Sequence, residues 1–293
     1  LISTFHHSAF PAELLREHKR ETVTAVLPAR EVADTIGPIV ETLMGLDLVD
    51  QVLVVDAASE DGTADRARAL GAEVHQESEL VDDLGPALGK GDAMWRALEV
   101  ARGEIVVYMD SDTRGFGGHF VCGVLGPLLV EEGVEFVKAS FQRPFAGESA
   151  DRPLGGGRVT ELTARPLFSA FYPDLAAFAQ PLAGEVAARR GLFERIPFAC
   201  GYAVETSMLL DARDLVGIEA MAQVDLDQRR NHHQSLEELG PMAYSVLQVI
   251  LERLRSEGRL LDGEAPPLQT ADGRAVRVDL IERPPFASLR ASA

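Results

Sequence analysis

Glu104-Ile-Val-Val-Tyr-Met109-Asp110-Ser111-Asp112 decides the fold of this chain. Glu104 to Met109 is an apolar run with the length and composition of a buried strand. Two carboxylates follow it, two residues apart. At the carboxyl end of a parallel strand such a pair converges on one hard cation. A cation there neutralises the phosphate oxygens of a nucleotide diphosphate. An isolated Asp-x-Asp triplet is more often a solvated turn, so the weight of this one comes from the strands around it.

Upstream, Thr22–Leu27 reads as a first strand ended by Pro28, and Ala33–Met44 as a helix with Ile36, Ile39, Val40 and Leu43 on one face. Gln51–Val55 is a second strand closed by Asp56. Ser59-Glu-Asp-Gly-Thr63 supplies turn and cap residues for a helix from Ala64 to Leu70, and Ala72–Val74 is a short third strand. Gly89-Lys-Gly91 opens a helix carrying Met94, Trp95 and Leu98, with Trp95 read as core and not as a sugar platform. The Glu104 run is the fourth strand and Phe136–Phe141 a further one. Strands alternating with helices predict a parallel or mixed α/β sheet of Rossmann-like form, with ligands at the strands' carboxyl ends, where Pro28, Asp56 and Asp110 fall. Neither a Gly-x-Gly-x-x-Gly fingerprint nor a Walker loop follows the first strand, which argues against a dehydrogenase and a P-loop NTPase.

The pattern divides the chain into 1–150, a nucleotide-binding region; 151–261, mainly helical and dominated by helix from Val159 to about Glu257; and 262–293, a Pro-rich arm with a strand at Ala275–Val278. The loop Ala146–Pro153 between the first two is polar. With 293 residues, 46% of them hydrophobic, the chain can bury a large core. Its 28 basic and 46 acidic residues give a net charge of −18, which argues against nucleic acid and anionic membrane as partners. No apolar run reaches the ~20 residues of a membrane span. Cys122 and Cys200 lack metal spacing and read as reduced, mostly buried thiols. No signal-peptide pattern opens the chain, and a cytoplasmic setting is expected. The chain starts at Leu1, so the true N-terminus is expected upstream.

Val54–Thr63, Gly89-Lys-Gly91, Asp110-Ser-Asp112 and a later Glu resemble a GT-A glycosyltransferase. Gly155-Gly-Gly-Arg-Val-Thr-Glu-Leu162, Gln180-Pro-Leu-Ala-Gly-Glu185, Gly201-Tyr-Ala-Val-Glu205 and Arg283-Pro-Pro-Phe286 narrow the resemblance to the actinobacterial glucosyl- and mannosyl-3-phosphoglycerate synthases, from about Thr22 to Arg290. The resemblance implies a retaining, Mg²⁺- or Mn²⁺-dependent transfer of a hexose from a nucleotide sugar to 3-phosphoglycerate, by a homodimer. Two departures stand out. The usual Pro-Ala-x-Asn-Glu opening reads Pro28-Ala29-Arg30-Glu31-Val32, which tilts the donor toward GDP and mannose, with UDP-glucose as the alternative. The usual His-x-Asn order is replaced by Asn231-His232-His233.

The expected sites follow. Pro28, Ala29, Arg30, Glu31, Asp56, Ser59, Lys90, Asp110, Ser111 and Asp112 contact the nucleotide sugar. Ser59 can equally cap the following helix. Asp112 leads the metal ligands, with Asp110 nearer the ribose or a metal-bound water, and His232 or His233 completes the set; a mixed carboxylate, imidazole and diphosphate shell suits Mg²⁺ or Mn²⁺ better than Zn²⁺. Lys90, between glycines at a helix start, meets phosphate. Gly157, Arg158, Val159 and Thr160 suit a small phosphorylated acid, with Arg229 as a second clamp and Asn231 beside it. Glu205 is the sugar-side carboxylate, and double displacement through it stays open. Asp112, Glu205 and Lys90 are the expected catalytic residues. Rival readings are a nucleotidyltransferase, which would need a Gly-rich loop after the first strand, and a non-catalytic sugar-nucleotide-binding protein.

Overall fold

The computed structural model describes residues 2–142, 157–229, 235–260, 268–269, 275–277 and 279–290. In chain order its strands and helices begin β1 (Ser3–His6), α1 (Ala12–His18), β2 (Val23–Ala29), α2 (Ala33–Met44), β3 (Gln51–Asp56), α3 (Thr63–Ala69), β4 (Glu73–Gln76), α4 (Lys90–Arg96), β5 (Ile105–Tyr108), α5 (Gly118–Val130) and β6 (Phe136–Gln142). They continue with α6 (Arg165–Phe171), β7 (Val186–Arg189), α7 (Arg190–Phe193), β8 (Phe198–Ala199), α8 (Val204–Val216), β9 (Met221–Gln228) and α9 (Leu236–Ser256). Eight strands form one sheet in the order β1-β9-β6-β7-β5-β2-β3-β4, parallel throughout except that β7 runs antiparallel to β5 and β6.

The strands are almost continuously apolar because both faces of the sheet are covered. Alternation then sorts their side chains. Val26, Val106 and Tyr108 face one core with Trp95, Phe168, Leu209 and Val249; Ala25, Leu27 and Val107 face the other with Ile36, Leu43, Phe120 and Leu125. Trp95 is fully buried and its indole N–H donates to the Pro284 carbonyl at 2.8 Å, so it is core.

Four expectations need correction. Pro28 does not end its strand: β2 runs through it to Ala29, pairing Pro28 with Val55. Val26, of the same parity, receives the Met109 N–H on the β5 side, so the N–H that Pro28 lacks falls where the β5 ladder has ended. The third strand is Glu73–Gln76. The Ser59–Thr63 turn caps more than its own helix: Gly62 stands at the α3 N-cap and Asp61 accepts from the Thr63 N–H. Ser59, Thr63 and Asp61 also accept from the N–H groups of Glu31, Val32 and Ala33, closing the N-terminus of α2. Finally, the second half is mainly helical but gives β7 and β9 to the sheet. Both are short or broken by polar residues, and their pairing partners lie far away in sequence. Of the tail, β10 (Leu268–Gln269) pairs with β11 (Ala275–Val276), and β12 (Glu282–Arg283) pairs with β8. The rest of the expected strand, Val278, and the loop Ala146–Pro153 lie outside the described residues.

Candidate active site

A cavity of about 650 Å³ opens at the carboxyl ends of β2, β3 and β5. Its first wall carries Pro28, Ala29 and Arg30 from the end of β2, Lys90 from α4, and Asp110, Ser111 and Asp112 from the end of β5. Gly157, Arg158, Val159 and Thr160 stand in the opposite wall with Glu205 and Arg229. Thr160 opens a single π-helical turn, Thr160–Ala164, a departure from regular helix that often accompanies function.

Ser111 fastens the Asp-x-Asp turn: its hydroxyl donates to the Pro28 carbonyl at 2.6 Å, and its own carbonyl accepts from Thr35 at 2.7 Å. Asp110 is held on both oxygens, by Lys90 at 2.6 Å and by Arg229 at 2.8 Å. A methyl group at position 184 would collide with that carboxylate, which explains the glycine in Gln180–Glu185. Glu205, in the first turn of α8, takes the same Lys90 ammonium at 2.7 Å. Burial is the largest influence on Lys90 and pushes it down, but the Asp110 and Glu205 carboxylates reverse this and hold it above the usual lysine range. Asp110 is the mirror case: burial raises it, and Lys90 and Arg229 together bring it below the usual carboxylate range.

Arg229 lies 2% exposed at the end of β9. Besides Asp110 it pairs with Asp112 at 3.0 Å and with the fully buried Glu185 at 3.1 Å. Lys138 on β6 is fully buried, and its ammonium finds no hydrogen-bond partner among the described residues. Burial pushes it down to about 8, against the pull of Glu205. The centre thus sets the carboxylates of Asp110, Asp112, Glu185 and Glu205 against the cations of Lys90, Lys138 and Arg229, an excess of one negative charge. Asp112 alone is open: its side chain is 51% exposed, and Oδ2 has no partner among the described residues. A half-exposed carboxylate oxygen with no partner among those residues fits a hard divalent cation.

Three expected donor residues stand behind the wall. Glu31 accepts from the Glu60 N–H at 2.7 Å, Ser59 from the Glu31 N–H at 2.9 Å, and Asp56 from the Ser59 N–H and the Gln76 amide. Asn231, His232 and His233 lie outside the described residues.

The two glycines beside Lys90 answer to different demands: Gly89 adopts a φ of 87°, in the left-handed region, and Gly91 answers to packing. A methyl group at Gly91 would strike the Ala199 carbonyl, so the glycine lets α4 close against the β8 segment that leads into Glu205. From the other side Arg283 pairs with the buried Asp92 at 2.7 and 3.0 Å and donates to the carbonyls of Leu84 and Pro86. Arg96 joins the same carboxylate at 3.1 Å and reaches the carbonyls of Leu80 and Gly85. This network, Glu185 and Lys138 are the supports that sequence reasoning missed. Their signal was charge inside apolar runs: Asp92 and Arg96 beside Met94 and Trp95, and Lys138 between Val137 and Ala139.

The profile of glycosyl transferase family 2 matches residues 24–115. The glucosyl-3-phosphoglycerate synthase of Petrotoga mobilis is 38% identical to this chain over 307 residues, spanning 99% of the chain and 94% of the relative. The chain belongs to the glucosyl- and mannosyl-3-phosphoglycerate synthase family. The crystal structure of the mannosyl-3-phosphoglycerate synthase from Rubrobacter xylanophilus superposes with a TM-score of 0.90 at 48% identity, covering 98% of this chain and 97% of that one. A glucosyl-3-phosphoglycerate synthase from Mycobacterium tuberculosis, solved with Mn²⁺, UDP-glucose and phosphoglyceric acid, superposes at 0.88 with 36% identity and 99% coverage of both chains. Membership of the synthase family makes the chain a hexosyltransferase with a GT-A fold. Among the described residues, no helix is long and apolar enough to cross a membrane.

Proposed function

We propose that this enzyme transfers a hexose from a nucleotide diphosphate sugar to the 2-hydroxyl of 3-phosphoglycerate with retention of anomeric configuration. The carrying observation is the pairing of Lys90 with both Asp110 and Glu205 at the cavity floor, facing the Gly157–Thr160 wall. Residues 1–150 supply the donor side, 151–261 the acceptor side and 262–293 an arm; contacts of Arg283 and Pro284 with α4 support that division.

Asp112, with Asp110 and a side chain from Asn231–His233, would hold Mg²⁺ or Mn²⁺, which when bound neutralises the charge of the departing diphosphate. Lys90 keeps its positive charge and stands where the phosphate oxygens leave. Arg158 and Thr160 orient the acceptor's phosphate and carboxylate, and Arg229 at the seam adds positive potential toward it. The acceptor 2-hydroxyl then forms the new bond to the anomeric carbon on the face from which the phosphate oxygen departs, and that oxygen takes the hydroxyl proton. The lining carboxylates support retention. Asp110 and Glu205 are engaged by Lys90, and the open oxygen of Asp112 is the one assigned to the metal. Glu161, the nearest other candidate for a base, is held by Arg165 at 2.9 Å.

GDP-mannose is the favoured donor, with UDP-glucose second. Glu77 lines the cavity beside Arg30 and Ala57, and burial raises it above its ordinary range. A carboxylate there can accept from both N1–H and N2–H of guanine, whereas uracil offers one N–H. The 48% identity to the mannosyl enzyme, against 36% to the M. tuberculosis glucosyl enzyme, points the same way. Turnover of 3-phosphoglycerate with a panel of UDP- and GDP-sugars tests the reading: kcat/KM highest for GDP-mannose supports it, and exclusive use of UDP-glucose removes the donor assignment. The free thiols fit a cytoplasmic enzyme, and the exposed Leu162 and Leu236 fit a homodimer, which sedimentation would show or refute.

A further inference from the structure

At the outer edge of the sheet, away from the cavity, β1 and β9 run parallel with His6 opposite Asp225. This register carries His6 and His7 to the residues that end β9. His6 Nε2 lies 3.0 Å from Asp227 Oδ1, and His7 Nε2 lies 2.7 Å from Oδ2. One ligand atom from each residue falls within 4.8 Å of the others. The two imidazoles are 4.4 Å apart, and a third, His119 in the first turn of α5, is 4.9 Å from His7. The chain has seven histidines, so nearly half of them gather around one carboxylate on an otherwise acidic protein.

We propose that His6, His7 and Asp227 bind a borderline divalent transition-metal ion of the Zn²⁺ or Co²⁺ class, at a site independent of Asp112. His6 Nε2 and His7 Nε2 each approach a different oxygen of one carboxylate, and with one ligand atom from each residue within 4.8 Å of the others the three side chains can close on an ion whose metal–ligand bonds are about 2.0–2.2 Å. Two imidazoles and one carboxylate favour Zn²⁺, Co²⁺ or Ni²⁺ over Mg²⁺, which prefers oxygen. The Ser8 backbone N–H donates to His6 Nδ1 at 3.3 Å and the Ser8 hydroxyl lies 2.7 Å from the same atom, which holds the ring toward Asp227; metal binding there displaces the Nε2 proton. His119, its ring centroid 4.9 Å from that of His7, adds a further imidazole beside the site. Exposure of His6 and Asp227 leaves the remaining positions to water. The ion would tie the first strand to the last strand of the sheet.

The test is titration of tag-free, metal-stripped protein with Co²⁺ in the absence of nucleotide, read by visible absorption, with Zn²⁺ calorimetry alongside. Wild-type protein and Asp112→Ala should each bind one equivalent more than His6→Ala/His7→Ala or Asp227→Asn. Zn²⁺ should raise the Tm of wild type by a few degrees and leave the two edge variants unchanged. Transfer activity with Mg²⁺ should be the same in the edge variants as in wild type. Equal Co²⁺ stoichiometry in wild type and Asp227→Asn, or loss of the extra equivalent in Asp112→Ala, would overturn the site. Asp227→Asn keeps shape and size, so it decides the matter if the double variant fails to fold.

Discussion

The two halves of the sheet are assembled in different ways. In β5-β2-β3-β4 every pairing is parallel and the four strands are consecutive in the chain, with α2, α3 and α4 between successive strands and β5 returning to the free side of β2. In β1-β9-β6-β7 the pairs join segments far apart: β1 at residues 3–6 lies against β9 at 221–228, and β7 turns antiparallel to meet β5 and β6. The cavity sits over the join. Its donor wall rests on the local half, while Glu185, Glu205 and Arg229 arrive from the non-local half to engage Asp110, Asp112 and Lys90. Local pairing therefore makes the scaffold, and charge pairing across the join aligns the two walls.

Breaking the join should produce the largest effect. Arg229→Met leaves Glu185 buried without its guanidinium and Asp110 with one partner fewer; stability should fall by about 3–5 kcal/mol, read by urea unfolding. A loss below about 1 kcal/mol would mean the two halves do not depend on this contact. Asp112→Ala sits on the local side and is half exposed, so it should leave unfolding nearly unchanged while transfer falls by about 100-fold or more. Near-normal turnover of the folded variant in Mn²⁺ would remove Asp112 from the metal site. Arg158→Ala sharpens the division of labour between the walls: acceptor KM should rise about 10-fold, the worth of a charge-assisted hydrogen bond, with donor affinity by calorimetry unchanged. The reverse pattern would move Arg158 to the diphosphate.

The smallest effect belongs to Lys138. Its folded value of about 8 lies below the ordinary 10.5, so between those two pH values the unfolded chain holds the proton and the folded one does not. Stability of the wild type should rise with pH through that window. Lys138→Met should accordingly be more stable at pH 7, by about 1 kcal/mol, and lose that advantage as pH approaches 10. A constant difference from pH 7 to 10 would contradict a buried ammonium.

The same division explains what could be read in advance. The β2, β3 and β5 segments announce themselves by apolar runs ending in Pro28, Asp56 and Asp110, and local periodicity is enough to place them. Met221–Gln228 does carry a local signal, the alternation Ala222-Gln223-Val224-Asp225-Leu226-Asp227, which a mainly helical reading of the second half passes over; its partner β1, over two hundred residues away, is not legible locally. Most of the expected donor and acceptor residues do line one cavity. Glu31, Asp56 and Ser59 stand behind it because their side chains hold backbone N–H groups of the turns there, Glu31 that of Glu60, Ser59 that of Glu31 and Asp56 that of Ser59. Glycines 91 and 184 were legible as motif members, but the reason for them, close approach to Ala199 and Asp110, exists only in three dimensions.

The measurement that bears most directly on the account is the anomeric configuration of the product made from GDP-mannose and 3-phosphoglycerate, read by NMR with and without EDTA. An α-hexosyl-3-phosphoglycerate that forms only without the chelator is the expected result. It follows from an open Asp112, a charged Lys90, and the engagement of Asp110 and Glu205 by Lys90 and of Glu161 by Arg165. A β-linked product would contradict it and require Glu161 or Glu205 to act as a base, and undiminished product in EDTA would contradict the role given to Asp112.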